Sequence, residues 1–514
     1  MSLLGIDIGT TGCKAASFSR DGRSIAVAYR EYRKLSLPVG HAEIDSRTVL
    51  SNIWDCIAEV GGGTKHDPIE ALSISSLGEA MTPVTEERTV IGNSILCSDI
   101  RGEEYLQKLE RYISQKEFYE INPNILGPNY SLPKLLWMKE HKPDIYNRAY
   151  KFLLWADLVV YMLGGDAVTS YSLANRTLLF DIHKEEWSHS LLEAAGIEED
   201  KLPSIVASGS DAGVINDKMT EALNLPNNIR LIVGGHDQCC NALGAGALEQ
   251  GKTVCGMGTF ECITPVYNGI PTQTGLFKDN GLNIEHHIVS DRYVSFLYNQ
   301  SGSLVKWYRD TFAMADKQLM LGGQDIYDAL FAEMPSRPSN VLVLPHFEMT
   351  GPPRFITDSS GVILGLKTST QRGEILKAIL ECATFYFVES LDALKNIGIE
   401  SSEFVATGGG AKSDAWLQIK ADILGVPFRR LKQPECGLVG AAMIAGTAIN
   451  TWGSYEQAAS VCVHFGAIFD PNEKTHSYYR EKYERYRELY PYMESYLSSY
   501  SQIDKQPSVS GLVS

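Results

Sequence analysis

The chain has 514 residues, 44% apolar and 21% charged, and its 46 basic residues face 62 acidic ones for a formal charge of −16. That length accommodates two or three domains with real cores, and the composition excludes a disordered protein, a collagen and a small disulfide scaffold. An acidic surface repels polyanions, so neither nucleic acid nor an acidic membrane is expected as a partner, and any phosphate must be held locally by backbone N–H groups and a few placed cations.

The N-terminus lacks a basic region and a cleavable apolar core, and no apolar run reaches the ~18 residues of a membrane span. Leu3 to Ile8 is an apolar run that predicts a first strand. Gly9-Thr10-Thr11-Gly12 then predicts a turn, Cys13 to Phe18 a second strand, Asp21-Gly22 a hairpin turn and Ile25 to Tyr32 a third strand. Ile69 to Ser75 and Ile229 to Val233 predict further strands, the latter entering Gly234-Gly235. Short strands alternating with helices place the chain in the α/β class. Gly246 to Thr253 matches the GxxxxGK[ST] phosphate-loop pattern. A true loop of that kind follows a strand and opens a helix. Here helical Asp237 to Leu243 precedes it and a strand over Thr253 to Gly256 follows, so the match is fortuitous.

Apolar residues at Ile375, Leu376, Ile379, Leu380, Ala383, Phe387, Leu391 and Leu394 form one stripe, which predicts a helix over 368–396 stopped by Gly398. Ser413 to Leu424 predicts another, with Ser413 as N-cap and Gly425 past its end. Gly437 to Ala448 is rich in small residues, as expected of a helix pressed against a neighbour. Tyr479, Tyr483, Tyr486 and Tyr490 share one face of a terminal helix expected to pack on the body, and residues from about Ser501 onward predict a loose polar tail. Ten scattered cysteines without a CxxC spacing imply reduced thiols in a cytoplasmic protein rather than disulfides or a zinc site.

Four segments carry candidate chemistry. In Asp7-Ile8-Gly9-Thr10-Thr11-Gly12, a strand delivers a carboxylate suited to Mg²⁺, the glycines let backbone approach a ligand, and Thr10, Thr11 and Lys14 can hold phosphate oxygens. A plain hairpin turn is the alternative. Gly256-Met257-Gly258-Thr259 repeats that logic, and two such loops facing each other could grip a triphosphate. Val405 to Ala411 runs a strand into Gly408-Gly409-Gly410, which suits a nucleobase or ribose lying against bare backbone. Finally, Gly234-Gly235-His236-Asp237-Gln238 sets Asp237 where a strand becomes a helix, a usual place for catalytic groups, although by position alone an N-cap role fits better.

In this order and spacing, together with Trp416-Leu417-Gln418-Ile419-Lys420-Ala421-Asp422, Gly440-Ala441-Ala442, and Leu364-Gly365-Leu366 followed by Arg372 and Glu381, these segments resemble the FGGY carbohydrate kinases. That family belongs to the actin/Hsp70/hexokinase-like ATPase superfamily. The resemblance implies two α/β domains of ribonuclease H-like core around a cleft, a sugar-binding one over 1–246 and an ATP-binding one over 247–500, with 501–514 as tail. It implies ATP and Mg²⁺ as cofactors, Asp237 as the catalytic base and Asp7 near Mg²⁺. It further implies Thr10, Thr11, Lys14, Gly258, Thr259, Gly302, Gly409, Gly410 and Asp414 around ATP. An aspartate near its reference pKa of ~3.9 would mainly orient the hydroxyl and take its proton late.

For the acceptor, the resemblance points to Glu79, Ala80, Asp99, Arg101, His236 and Asp237. The C-terminal half is similar to the xylulose-kinase branch, which makes a ketopentose such as xylulose the first expectation. Gly78-Glu79-Ala80-Met81-Thr82 departs from that branch's Gly-Gln-Met-His-Gly, and Cys97 stands where it carries Trp, so an erythritol- or glycerol-like polyol or an uncommon sugar remains open. So does a homodimer. A nucleotide-driven actin- or Hsp70-like protein is the non-kinase alternative, and the polar group Glu79, Asp99 and Arg101 argues against it. A catalytically dead sugar sensor would lack Asp7 or Asp237, and both are present.

Overall fold

The computed structural model describes residues 1–319, 325–433 and 435–504. Two sheets organise it. The first orders its six strands Asp211–Val214, Arg230–His236, Ile69–Ser76, Ser2–Ile8, Gly12–Ser19 and Ser24–Glu31. Its three inner strands, Arg230–His236, Ile69–Ser76 and Ser2–Ile8, run parallel, and the strands on either flank pair antiparallel. The second sheet has eight strands built around Lys252–Met257, Glu403–Thr407 and Phe428–Leu431, again parallel, with the Phe260–Asn268 hairpin partner on one side. Each sheet therefore begins with the same device: a buried strand, a Gly/Thr turn and an antiparallel return strand.

The helices reflect their patterns. Arg372–Asn396 is buried along the predicted stripe but starts four residues after Thr368, because Gln371 and Glu374 close a reciprocal cap there. Asp414–Leu424 is capped by Ser413, whose side chain accepts from the Trp416 amide, and Gly425 follows at φ +68°. The terminal helix runs Glu473–Asp504. It extends into the segment expected to be a loose tail, and residues 505–514 lie outside the described residues. Its four tyrosines pack inward: Tyr479, Tyr483 and Tyr486 surround Phe385. Beneath them the buried Glu381 accepts from Tyr479 (2.8 Å), Lys482 (2.5 Å) and the Ser339 amide (3.1 Å). Gly246 to Thr253 joins the helix Asp237–Gly244 to the strand Lys252–Met257, an order opposite to that of a phosphate loop. None of the described helices is long and apolar enough to cross a membrane.

The halves meet through two helices. Asp237–Gly244 follows the last parallel strand of the first sheet, and Cys436–Ala448 follows that of the second. They cross where Gly244 faces the Cys436 carbonyl and Gly440 faces the Cys240 carbonyl. Cys436–Ala448 also lies on the first sheet, with the Leu438 carbonyl against Gly5. One apolar cluster therefore holds Leu3, Ala71 and Ile232 of the first sheet beside Val254, Val405 and Leu431 of the second.

A methyl group on Gly440 would sit inside the contact radius of the Cys240 carbonyl oxygen, and that oxygen belongs to helical backbone that cannot swing away. Gly440→Ala should cost roughly 1–3 kcal/mol, seen as an earlier thermal unfolding transition. Gly62→Ala, where the added carbon meets nothing within 4 Å, should be neutral or slightly stabilising.

Candidate active site

The three inner strands of the first sheet end at one edge. Their pairing sets Asp7 beside Ser75, Ser75 beside Gly235 and His236 beside Ser76. Side chains at the carboxyl ends of parallel strands face the crevice of such folds. Here they bring Asp7 and Asp237, far apart in sequence, into electrostatic contact. Asp237 is the first residue of its helix, and His236 takes the N-cap position without a side-chain cap bond. The N-cap reading of Asp237 is thereby replaced by a carboxylate set on the strand–helix corner. Burial, then the charges of Asp7 and Glu79, push its pKa up to about 7. That differs from the ordinary carboxylate assumed from sequence, and a pKa near neutrality suits a group that takes and gives protons.

Asp7 accepts from Ser75 Oγ at 2.6 Å. Burial raises its pKa, Glu435 adding to the effect, while Ser75 and Lys14 oppose it. A Cβ on Gly437 would lie 2.8 Å from Asp7 Oδ1, so glycine there leaves the carboxylate its room. The neighbouring turn is tied down by Tyr32: its hydroxyl donates to the Gly9 carbonyl (2.6 Å) and its amide to the Thr11 carbonyl (3.0 Å). Thr10 is half-buried and Thr11 exposed. Lys14 pairs with Glu435 at 2.7 Å, just before the helix of the other half.

Gly258, Thr259, Gly302, Gly409 and Gly410, which sequence reasoning grouped around ATP, line one cavity of about 320 Å³. Tyr327, Phe331 and Trp416 add an aromatic wall, and Lys306 a cation. Trp416 Nε1–H is buried without a partner among the described residues. A flat ring with a hydrogen-bond acceptor fits such a lining. Asp414 stands apart: it is 77% exposed, pairs with Arg430 and does not line the cavity.

The residues expected at the acceptor separate into two groups. Glu79 is buried in a left-handed conformation at φ +64°, where a non-glycine residue is strained and worth attention. Arg176 Nε donates to its Oε1 at 2.7 Å. His236 lies over Gly78, stacks on Phe296 at 5.1 Å and stays neutral, because burial and then Arg176 push its pKa well down. Its Nδ1 is 3.6 Å from Asp237 Oδ1. Asp99 and Arg101 are bonded to each other and to neighbouring groups of the first half. Asp99 accepts from the Ala42 amide (2.6 Å) and from Arg101 Nε (3.0 Å) and Nη2 (2.6 Å). Those bonds outweigh its burial and hold its pKa low. Arg101 also reaches Glu43 at 2.8 Å and stacks over Trp137. Ala80 is buried beneath Glu79, with its amide on the Gly78 carbonyl at 2.7 Å. Arg372, pairing with Glu333 and Asp316, and Glu381 are likewise bonded to neighbouring groups.

Sequence reasoning missed Arg176, Glu285, Tyr130 and Phe296, which close the wall around Glu79. No motif marks them. The one available signal is an arginine, Arg176, inside a short apolar stretch, where a charge needs a partner. The lifted Asp237 titration can be checked directly. Infrared spectra between about pH 6 and 8 should show a protonated-carboxyl band that fades as pH rises through about 7 and is missing from Asp237→Asn.

The FGGY carbohydrate-kinase N-terminal domain model matches residues 2–244 and its C-terminal counterpart residues 282–449. The xylulose kinase of Staphylococcus xylosus is 25% identical over 95% of this chain and 99% of its own. The glycerol kinase of Janthinobacterium is 29% identical over 88% of this chain and 91% of its own. The solved xylulose kinase of Lactobacillus acidophilus superposes with a TM-score of 0.86 at 22% identity, covering 97% of this chain and 99% of that one. Matching over nearly the whole length, on a fold with two like sheets around a carboxylate-lined crevice, the chain belongs to the FGGY family of carbohydrate kinases and is a sugar phosphotransferase that uses ATP.

Proposed function

We propose that the protein transfers the γ-phosphoryl group of MgATP to a hydroxyl of a ketopentose, with xylulose first, and that Asp237 is its catalytic base. The observation that carries the reading is Asp237 itself: a carboxylate lifted to about 7 at the end of the strand that also leads to the sugar wall. The acceptor lies against the 1–246 half, beside Glu79 and His236. The nucleotide lies against the 247–500 half, in the cavity of Gly258, Thr259, Gly302, Gly409 and Gly410. Asp237 orients the attacking hydroxyl and takes its proton as the oxygen–phosphorus bond forms. Thr10 and Thr11 supply donors to phosphate oxygens, and Lys14 exchanges Glu435 for them. Closure of the crevice excludes water and limits wasteful ATP hydrolysis.

Among the described residues no three ligating side chains cluster to hold a metal ion. A hard cation arriving with nucleotide phosphates and its own waters needs no such cluster, and Asp7, a carboxylate whose pKa burial raises, fits it as the protein ligand. Bound there, Mg²⁺ neutralises phosphate charge.

A polyol is the second reading. Glu79 in place of an amide, and the similarity to a glycerol kinase, favour it. An ADP-release assay with ketopentoses, aldoses, erythritol and glycerol decides between the two: xylulose should respond most strongly, and a dominant polyol response would transfer the assignment. Asp237→Asn should lower kcat by at least ~10²-fold while ATP binding persists. Near-normal turnover in that variant rules out Asp237 as base. Because only the ionised carboxylate accepts the proton, kcat/KM should climb as pH rises through about 7 and level off above it.

A further inference from the structure

Arg176 sits in the turn Asn175–Thr177 and is buried between two carboxylates. It contacts Glu79 from the first half and Glu285, at 2.7 Å, from the edge of the second sheet. Asn124 accepts from it at 3.2 Å, and Tyr130 and Phe296 sandwich its guanidinium. Glu285 is itself saturated, since Asn283 (2.8 Å) and Asn175 also donate to it. Glu79 is not. Both Arg176 contacts fall on Oε1, and no described residue bonds Oε2. With both carboxylates ionised the trio carries one negative charge in excess, although burial raises the Glu79 pKa against the pull of Arg176.

The other cations of this wall are spent. Arg101 is held by Asp99 and Glu43. Lys134 is buried and donates to the backbone carbonyls of Asp99, Arg101 and Pro128. His236 is neutral. A ligand entering beside Asp237 therefore meets carboxylate oxygens, with Arg176, Arg101 and Lys134 already engaged, while the exposed Lys34 donates to Ser98 Oγ at 3.3 Å.

We propose that Arg176, divided between Glu79 and Glu285, sets the charge selectivity of the acceptor site: it holds Glu79 with one oxygen free for a substrate hydroxyl and keeps no charge for a carboxylate, so neutral sugars and polyols enter and their aldonic acids are refused. This rests on the sugar-kinase reading above. Arg176 is a positioning residue in this scheme, and Glu79 makes the contact. Glu79→Gln or Glu285→Gln would each remove one carboxylate charge without removing the side chain that packs there. A guanidinium with one carboxylate partner left is neutralised, and the excess negative charge that repels an acid is gone.

Calorimetric binding tests the proposal independently of turnover. Xylulose, erythritol and glycerol are each titrated against the matching acid, xylonate, erythronate or glycerate, with MgADP present. The wild-type protein should bind at least one neutral compound and prefer it to its acid at least about tenfold. Glu79→Gln and Glu285→Gln should each narrow that preference by about tenfold or more, through tighter acid binding and not only through weaker neutral binding. A residue that merely supports the fold would weaken both ligands together. Acid bound as tightly as its neutral parent by the wild type, both variants with an unchanged preference, or no binding of any of these compounds would overturn the proposal. The sugar-kinase reading fails separately, by neutral binding without ADP release on addition of MgATP. An aldonate that is phosphorylated while neutral compounds are not would leave the kinase and remove this selectivity.

Discussion

Two helices touch backbone to backbone at Gly244 and Gly440, and the arrangement of the whole cleft follows from that contact. A side chain at either position would hold the axes apart. With none there, Cys436–Ala448, which belongs in sequence to the second half, comes down on the first sheet at Gly5 and presents Gly437 to Asp7. The carboxylate edge of one half and the glycine loops of the other are thereby held around a common crevice. Glu435, just ahead of that helix, meets Lys14 for the same reason.

Within the crevice, environment divides chemically identical groups into different tasks. Asp99 is surrounded by N–H donors and stays ionised. Asp237 is buried with two other carboxylates nearby, and its pKa moves to about 7. Glu381 is as buried as Asp99 and more so than Asp237, yet it is matched by Lys482, Tyr479 and an amide, and it anchors the terminal helix. Carboxylates whose acceptors are all used build the protein. At the crevice, those left short of partners, Asp7, Asp237 and one oxygen of Glu79, are where a substrate, a cation or a phosphoryl group has something to gain, whereas Asp157 Oδ2 and Glu261 Oε2 are unpaired among the described residues elsewhere in the core. Concentrating unpaired charge there is costly in a folded protein, and the two extensive apolar cores that run through the sheets supply the compensating stability.

Strands, turns and caps were legible because each depends on neighbours in the chain. Apolar runs became Ser2–Ile8 and Ile69–Ser76, and the Ser413 cap and Gly425 stop bounded a helix as expected. The start of Arg372–Asn396 was misjudged because its cap is a Gln/Glu pair rather than a Ser or Thr. Of the nucleotide group, Gly258, Thr259, Gly302, Gly409 and Gly410 meet in one cavity, whereas Thr10, Thr11 and Lys14 do not line it and Asp414 turns to Arg430. Asp99 and Arg101 were legible as polar partners, but their mutual engagement was not, since a sequence does not show which acceptors are already occupied.

The sequence by itself determined the class of fold, the glycine–threonine loops, the carboxylate on the strand–helix corner and the family to which these point, because all of these are written in local spacing and residue type. Tertiary structure alone decided that Glu79 belongs to Arg176, that Arg176 is shared with Glu285 from the other half, and that Asp237 sits past the N-cap with its pKa raised by burial. Those outcomes depend on burial and on long-range electrostatics. Both are set by which strands lie side by side and how closely two helices cross, and neither leaves a trace in the order of neighbouring residues.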